Sequence, residues 1–206
     1  MYINGELTEK TPGNLYTLNT PGTYYIGYSL CSFSFESGAS DASGEAPSIS
    51  PVISGTNIEL PANKFTRSGY TFAGWYNGSS LYDENQTITA SGESMSFRAM
   101  WKNTLDNRSF VSEDGYADAD NDGMEDVIAN NTFAKGMDEI TSSEGGTLYV
   151  EGNITGSIDG TTFYETNNNS RGAVLVRGIN DNISENSISV LSTVKNFSKG
   201  DITFDY

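Results

Sequence analysis

The stretch Phe65-Thr66-Arg67-Ser68-Gly69-Tyr70-Thr71-Phe72-Ala73-Gly74-Trp75-Tyr76-Asn77-Gly78 decides how this chain folds. Tyr70 and Phe72 alternate with small or polar residues, which predicts a strand with one buried face. Gly74 interrupts that strand, and a glycine inside a strand indicates a bulge or the close approach of another backbone. Asn77-Gly78 is a strong signal for a tight turn. The stretch therefore predicts a bulged strand that ends in a hairpin.

Three further strands flank this stretch. Residues 31–36 alternate between apolar and polar side chains, residues 57–60 form a second short strand that stops at Pro61, and residues 95–102 alternate again. The last of these strands carries the second tryptophan, so both tryptophans are expected in one small core. Cys31 is the only cysteine and cannot form an internal disulfide, and we expect it to be buried as a small hydrophobic side chain.

The run from Cys31 to Lys102 resembles the Listeria-Bacteroides repeat, also called the internalin B-repeat. Two departures are a missing Gly-Gly pair after Glu36 and Phe-Arg-Ala-Met-Trp in the last strand, and neither removes a core position. The resemblance implies a small β-grasp-like module that acts as a spacer in secreted and surface proteins of bacteria and archaea, without catalytic residues. The matching landmarks are Phe33-Ser34-Phe35-Glu36, Leu60-Pro61, Gly69-Tyr70-Thr71-Phe72-Ala73-Gly74-Trp75-Tyr76, Tyr82-Asp83, Ile88 and Phe97-Arg98-Ala99-Met100-Trp101-Lys102.

The aromatic residues of this module are expected to form its core, with a carbohydrate-stacking platform as the alternative. Tyr76 and Tyr82 are the better candidates for exposed rings. The core set is Tyr70, Phe72, Trp75, Phe97 and Trp101.

Residues 103–131 are interpreted as an acidic linker and loop that holds a candidate metal site. Asp118, Asp120 and Asp122, followed by Gly123, reproduce the first half of an EF-hand loop, in which alternate carboxylates converge on a hard cation. Asp126 stands at position nine, but Ala129 stands at position twelve, where a bidentate Glu is expected. Calcium is the candidate ion, and the alternative is an acidic loop whose Asp and Asn side chains bond their own backbone.

The remaining chain predicts one helix and then short strands. Thr132 to Ser143 has helical apolar spacing with Thr132 as N-cap, Gly145-Gly146 ends it, and a strand follows at 147–150. Apolar pairs then recur at 174, 188 and 202, which are 14 residues apart. This region resembles the N-terminal cap and first coils of a right-handed parallel β-helix of the pectate-lyase-like, adhesin type.

The predicted fold is therefore mainly β: a small β-grasp-like repeat module, a one-helix cap and the start of a parallel β-helix. Because stacked repeats usually need three or more units and about two coils are present, we expect a fragment end with an exposed final rung at Tyr206. The predicted parts are an extended lead-in at 1–30, the repeat module at 31–102, the acidic linker and loop at 103–131, and the helix cap with the first β-helix coils at 132–206.

Composition excludes several classes of function. The 206 residues include 11 Lys and Arg against 27 Asp and Glu, for a formal charge of −16, so nucleic acid is not an expected partner. The chain has no histidine, which excludes Ser-His-Asp triads and His-based zinc sites. No apolar run is long enough to insert into a membrane, and residues 1–6 do not read as a secretory signal. The chain is thus cytosolic or a segment of a longer exported protein, and the resemblances favour export.

These observations predict a non-catalytic fragment of a bacterial or archaeal cell-surface or secreted adhesin-like protein, which acts as a spacer or a binding module. Its expected location is extracellular, and its expected partner is a protein or glycan at a cell surface. The alternative is the N-terminal part of a carbohydrate-active β-helix enzyme, a polysaccharide lyase or glycosidase. Asp159, Glu165 and Asp181 are carboxylates available for such chemistry, although none lies in a known motif.

Overall fold

The computed structural model describes residues 29–142 and 145–152 with their side chains, together with the backbone of short strands at 2–3, 6–7, 24–25, 153–156, 174–178, 187–190 and 202–205. This described part is mainly β and holds one short helix. The elements, in chain order, are β1 (Tyr2–Ile3), β2 (Glu6–Leu7), β3 (Tyr24–Tyr25), β4 (Leu30–Glu36), β5 (Ser43–Gly44), β6 (Val52–Ile53), β7 (Asn57–Glu59), β8 (Phe65–Thr66), β9 (Tyr70–Tyr76), β10 (Leu81–Tyr82), β11 (Thr87–Thr89), β12 (Ser94–Asn103), β13 (Arg108–Ser112), β14 (Tyr116–Ala117), β15 (Val127–Ile128), α1 (Phe133–Glu139), β16 (Gly146–Glu151), β17 (Asn153–Gly156), β18 (Val174–Gly178), β19 (Ser187–Val190) and β20 (Ile202–Asp205).

Strand β12 is the centre of the main sheet. It pairs antiparallel with β9, which in turn pairs with β10. It also pairs in parallel with β4 along its first half and with β15 where Trp101 faces Val127. The first and the closing strand of the predicted module therefore lie side by side, and the segment after the module adds strand β15 to the same sheet.

The bulge predicted at Gly74 is present in β9. Gly74 faces Met100 and Phe72 faces Trp101, so Ala73 is the extra residue of the pair of strands. The bulge brings Phe72 and Trp75, which are three positions apart, to the same face, where their ring centroids are 5.0 Å apart. In a regular strand these two side chains would point to opposite faces. The glycine is required because its φ is 149° and an added Cβ would lie 2.8 Å from the carbonyl oxygen of Tyr82.

The core of the repeat is aromatic, as predicted. Trp75 and Trp101 are both inaccessible to solvent, and Phe35 contacts both Trp75 and Phe97. Tyr70 and Phe72 are partly buried against this cluster. Cys31 is buried, as predicted, and its thiol donates to the carbonyl oxygen of Ser91 at 3.4 Å.

The interpretation of residues 103–131 as a linker and loop is corrected by the structure. This segment contributes three strands to the fold. Strand β13 is almost entirely buried and pairs in parallel with β16. Strands β14 and β15 pair antiparallel with each other, and β15 also pairs in parallel with β12. The apolar pair Phe110-Val111, within polar surroundings, was the only sequence signal for β13. The acidic loop is thus held between strands of the fold.

The predicted helix is present but shorter. Thr132 is its N-cap, and the Thr132 hydroxyl accepts from the backbone N–H of Lys135 at 3.3 Å. The helix ends at Glu139 and not at Ser143, because the backbone N–H groups of Thr141 and Ser142 both donate to the carbonyl oxygen of Asp106. That carbonyl lies just before β13, so packing against the preceding strand decides where the helix stops.

A second sheet of parallel strands follows, in the order β13-β16-β18-β20. Strands β16, β18 and β20 start at residues 146, 174 and 202, which are 28 positions apart. Strands β17 and β19 form a separate parallel pair. The apolar positions 174, 188 and 202 of the sequence therefore alternate between two sheets, which explains their spacing of 14 residues.

Candidate functional site

Three of the four predicted metal ligands come together in the loop between β14 and β15. Asp118, Asp120 and Asp126 each offer a carboxylate oxygen, and these oxygens lie within 4.8 Å of one another. The loop is closed at its base, where the backbone N–H of Asp126 donates to the carbonyl oxygen of Ala117 at 2.8 Å. Strand pairing on both sides of the loop thus brings the first and the last aspartate together.

The loop carboxylates accept hydrogen bonds from their own backbone. Asp118 accepts from the N–H groups of Asp122 at 3.1 Å and Gly123 at 2.7 Å, and Asp126 accepts from the N–H of Ala119 at 2.7 Å. Such bonds are typical of loops rich in Asp and Asn. Both interpretations of the sequence, an ion-binding loop and a loop that bonds its own backbone, require this turn geometry.

Asp122 does not join the cluster. Its side chain is exposed and accepts from the backbone N–H of Met124 at 2.9 Å. At position twelve of the motif, the N–H of Ala129 donates to the carbonyl oxygen of Gly115, and its methyl side chain offers no ligand atom. Calcium binding at Asp118, Asp120, Asp122 and Asp126 remains a prediction.

Arg67, which was not among the predicted site residues, connects this loop to the repeat. Its guanidinium forms ion pairs with Asp126 at 2.8 Å and with Asp41 at 2.6 Å, and it lies over the ring of Tyr70. The arginine side chain is only 1% exposed. A signal was available, since Phe65 and Arg67 are two positions apart on an extended segment and so share its inward face.

Burial perturbs the acidic groups of the loop. It raises the pKa of Asp126 to about 7, against the opposing effects of the Ala119 amide and the Arg67 guanidinium. Burial also raises the pKa of Asp118, and it raises the pKa of Glu151, which accepts from the N–H of Asp118 at 2.8 Å. Of the loop carboxylates, Asp118 and Asp126 are buried, whereas Asp120 is partly exposed.

A polar groove runs beside the loop. Two adjacent cavities of about 340 and 330 Å³ share Glu125 and Glu151 in their walls. Arg98 forms an ion pair with Glu125 at 3.0 Å, and its guanidinium lies over the ring of Tyr76. The Tyr76 ring in turn lies 5.2 Å from that of Tyr116, between centroids. Side chains of the repeat, the loop and β16 therefore meet at one groove, whose carboxylates can accept from hydroxyl or ammonium donors.

The other sequence-predicted residues are less directly connected to this groove. Tyr82 packs edge-on against Phe97, and its hydroxyl accepts from the amide of Asn77 at 3.4 Å, so its ring belongs partly to the core. Tyr76 is partly exposed and lies next to the groove. The enzyme candidates Asp159, Glu165 and Asp181 lie outside the described residues.

Comparison with known proteins identifies one part of the chain. The family model of the Listeria-Bacteroides repeat domain matches residues 33–99, about a third of the chain and within the predicted module. Repeats of this family occur in extracellular and surface proteins. No curated protein and no solved structure matches the chain. Among the described residues, the helix α1 is too short to cross a bilayer, and no other helix is a candidate for doing so.

Proposed function

We propose that this chain is a non-catalytic part of a bacterial or archaeal cell-surface or secreted adhesin-like protein, in which it holds a repeat module in a fixed orientation on the start of a parallel β-helix. The observation that carries this proposal is the continuity between the two parts. Strand β15 belongs to the sheet of the repeat, while residue Asn130, two positions later, bridges to Val111 in the parallel sheet. A rigid connection is what a spacer needs, since flexible linkers transmit no orientation.

Contacts between β9 and the segment that leads into β13 reinforce the connection. The ring of Tyr70 in β9 lies 6.4 Å from that of Phe110 in β13, between centroids, and Arg108 lies over Tyr70 at 4.3 Å. The carbonyl oxygen of Gly69 accepts from the N–H of Thr104 at 3.0 Å. The segment between β12 and β13 is therefore fixed to the repeat by backbone and side-chain contacts.

Two features of the pairing support the finer architecture. The parallel neighbours β4 and β12 at the centre of the module are consistent with a β-grasp-like arrangement of an internalin B-repeat. Parallel strands that return every 28 residues are consistent with successive coils of a β-helix. In this proposal α1 covers the first coil as its cap.

Distance measurements between spin labels test the rigid connection. Ser79 in the hairpin turn of the repeat and Glu113 after β13 are exposed, and each can be replaced by cysteine in a Cys31→Ser background. A single narrow distance distribution is expected. A broad distribution would refute the fixed orientation, and labels at Ser79 and Glu59, both within the repeat, provide the control for label mobility.

The binding role of such a module is best placed in the groove at Glu125 and Glu151. Its net negative charge disfavours acidic polysaccharides and is compatible with neutral glycans or basic protein segments. A screen of the chain against glycans and host-surface proteins, repeated with Glu151→Gln, tests this placement. Reproducible cleavage of a uronate polymer or β-glycan, lost in a carboxylate variant, would instead favour the β-helix enzyme.

A further inference from the structure

We propose that the guanidinium of Arg67 is the cation that organises the aspartate-rich loop at 118–126, so that the loop closes onto the repeat as a latch without a bound metal ion. This inference concerns the loop alone and does not depend on the adhesin-like function. It competes directly with the calcium prediction made from the motif, and the two have opposite experimental consequences.

The position of Arg67 carries the argument. Its guanidinium reaches Asp126, a residue with no solvent exposure, at 2.8 Å, and Asp41 at 2.6 Å on its other side. Asp126 is one of the three carboxylates that face one another in the loop. A buried carboxylate needs a compensating positive charge or a proton, and the protein supplies a fixed positive charge at this position.

Four of the six oxygens of Asp118, Asp120 and Asp126 already accept a backbone N–H, and Oδ2 of Asp126 faces Arg67. Calcium takes six to eight oxygen ligands in proteins. Asp118 uses both oxygens for the N–H groups of Asp122 and Gly123, and one oxygen of Asp120 accepts from the N–H of Ser40 at 2.6 Å. The other oxygen of Asp120 and Oδ2 of Asp126 are buried and accept no hydrogen bond, and the Asp126 oxygen is compensated by the ion pair with Arg67. An incoming divalent cation would also approach the positive charge of Arg67, which Coulomb repulsion opposes.

The same contacts make the loop a latch. Asp126 and Asp120 each reach from the loop to the repeat, at Arg67 and at the backbone of Ser40. The backbone N–H of Trp101, at the centre of the main sheet, donates to the carbonyl oxygen of Asp126 at 3.0 Å. The loop therefore contacts the repeat at three places, through two residues that a calcium site would use as ligands.

Thermal unfolding of the full chain at pH 8, where Asp126 is ionised, tests the proposal. The wild-type melting temperature is expected to be the same in millimolar calcium and in chelator, because only a ligand that binds the folded state raises stability. Arg67→Met keeps the apolar stem but leaves Asp126 without its partner, and is expected to lower the melting temperature by ~10 °C. Arg98→Met is the matched control, since it removes a partly exposed ion pair and should shift the melting temperature by only ~2 °C.

Two results would overturn the proposal: a wild-type melting temperature that rises with calcium, or an Arg67→Met shift no larger than that of Arg98→Met. If Arg67→Met does not fold, Arg67→Lys replaces it, with hydrogen exchange at the Ala119 and Gly123 amides as the readout. These amides donate to the loop carboxylates and should exchange faster in Arg67→Lys than in Arg98→Lys, independently of calcium in the wild type. Equal exchange in the two variants, or wild-type protection that requires calcium, would contradict the assignment.

Discussion

The indole N–H of Trp75 donates to the carbonyl oxygen of Pro61 at 2.9 Å. The tryptophan is fully buried at the bulge of β9, while Pro61 follows β7 on a different part of the repeat. This bond gives the polar atom of the largest core residue a partner inside the protein, as buried indoles require. It also fixes the segment that leads from β7 into the stretch that decides the fold.

We expect Trp75→Phe to destabilise the protein by ~2–4 kcal/mol, because it leaves a cavity and removes the donor to the Pro61 carbonyl. Urea unfolding monitored by circular dichroism measures this change. Tyr76→Phe, in the next position but partly exposed, should cost less than ~1 kcal/mol. Similar losses for the two variants would show that the buried indole has no special role.

Gly38 lies in contact with β12. An added Cβ would lie 2.0 Å from the carbonyl oxygen of Ala99, at a φ of 71°. We expect Gly38→Ala to cost more than ~3 kcal/mol, because backbone of the central strand would have to move. Gly55→Ala is the control, since Gly55 has a φ of 95° with nothing near its Cβ position, and only the backbone strain of ~1 kcal/mol should remain. Equal losses of stability in the two variants would show that the positive φ alone, and not the contact with Ala99, causes the destabilisation.

Replacement of Gly136 in α1 by alanine is expected to lower the stability of the protein, in contrast to most helical glycines. Replacement of a helical glycine by alanine usually stabilises by ~1 kcal/mol. Here an added Cβ would lie 2.1 Å from a methyl carbon of Val111 and 2.8 Å from one of Leu148, so we expect a loss of ~1–3 kcal/mol. Thermal unfolding of Gly136→Ala shows whether the substitution stabilises or destabilises the protein. Lys135→Ala, at an exposed position of the same helix, is the control. A stabilised Gly136→Ala would show that the helix can move away from β13 and β16 at little cost.

Stability is expected to depend on pH through Asp126. Its pKa is raised by burial from 3.8 to about 7, so between these values the folded chain holds a proton that the unfolded chain releases. The resulting stabilisation is fully present below the unfolded pKa and is lost as the pH rises through about 7. The unfolding free energy should therefore fall between about pH 4 and pH 7 and level off above that range. The fall should be less steep in Asp126→Asn than in Glu45→Gln, an exposed control. Parallel curves for the two variants would remove Asp126 as the cause.

Local signals predicted much of the repeat. The glycine within a strand marked the bulge, alternating apolar residues marked β4 and β12, and Thr132 marked the start of α1. Each of these signals depends on a few adjacent residues. Strand β13 was not predicted, because two apolar residues in a polar segment are a weak signal. The parallel partner that stabilises it, β16, lies more than 30 positions away in the sequence.

The candidate site was also predicted only as far as local sequence signals reach. The spacing of Asp118, Asp120, Asp122 and Asp126 in the sequence indicated carboxylates that could converge, and all of them except Asp122 do so. The bond of Asp122 to the N–H of Met124 is local and agrees with the alternative of a loop that bonds its own backbone. The ion pair with Arg67 could not be derived, because it joins segments that are remote in the sequence. The motif identifies the carboxylates that the loop can offer, whereas the residues packed against the loop determine which positive charge pairs with them.

The sequence by itself determined the repeat, its aromatic core, its bulged strand and the acidic loop, because these follow from periodicity and from the conformational limits of individual residues. The tertiary structure alone decided that residues 108–130 belong to the fold, that α1 stops at Glu139, and that the loop meets Arg67. The physical reason is distance along the chain: hydrogen bonds and ion pairs between remote segments form only after both segments have been positioned by the sheets that carry them.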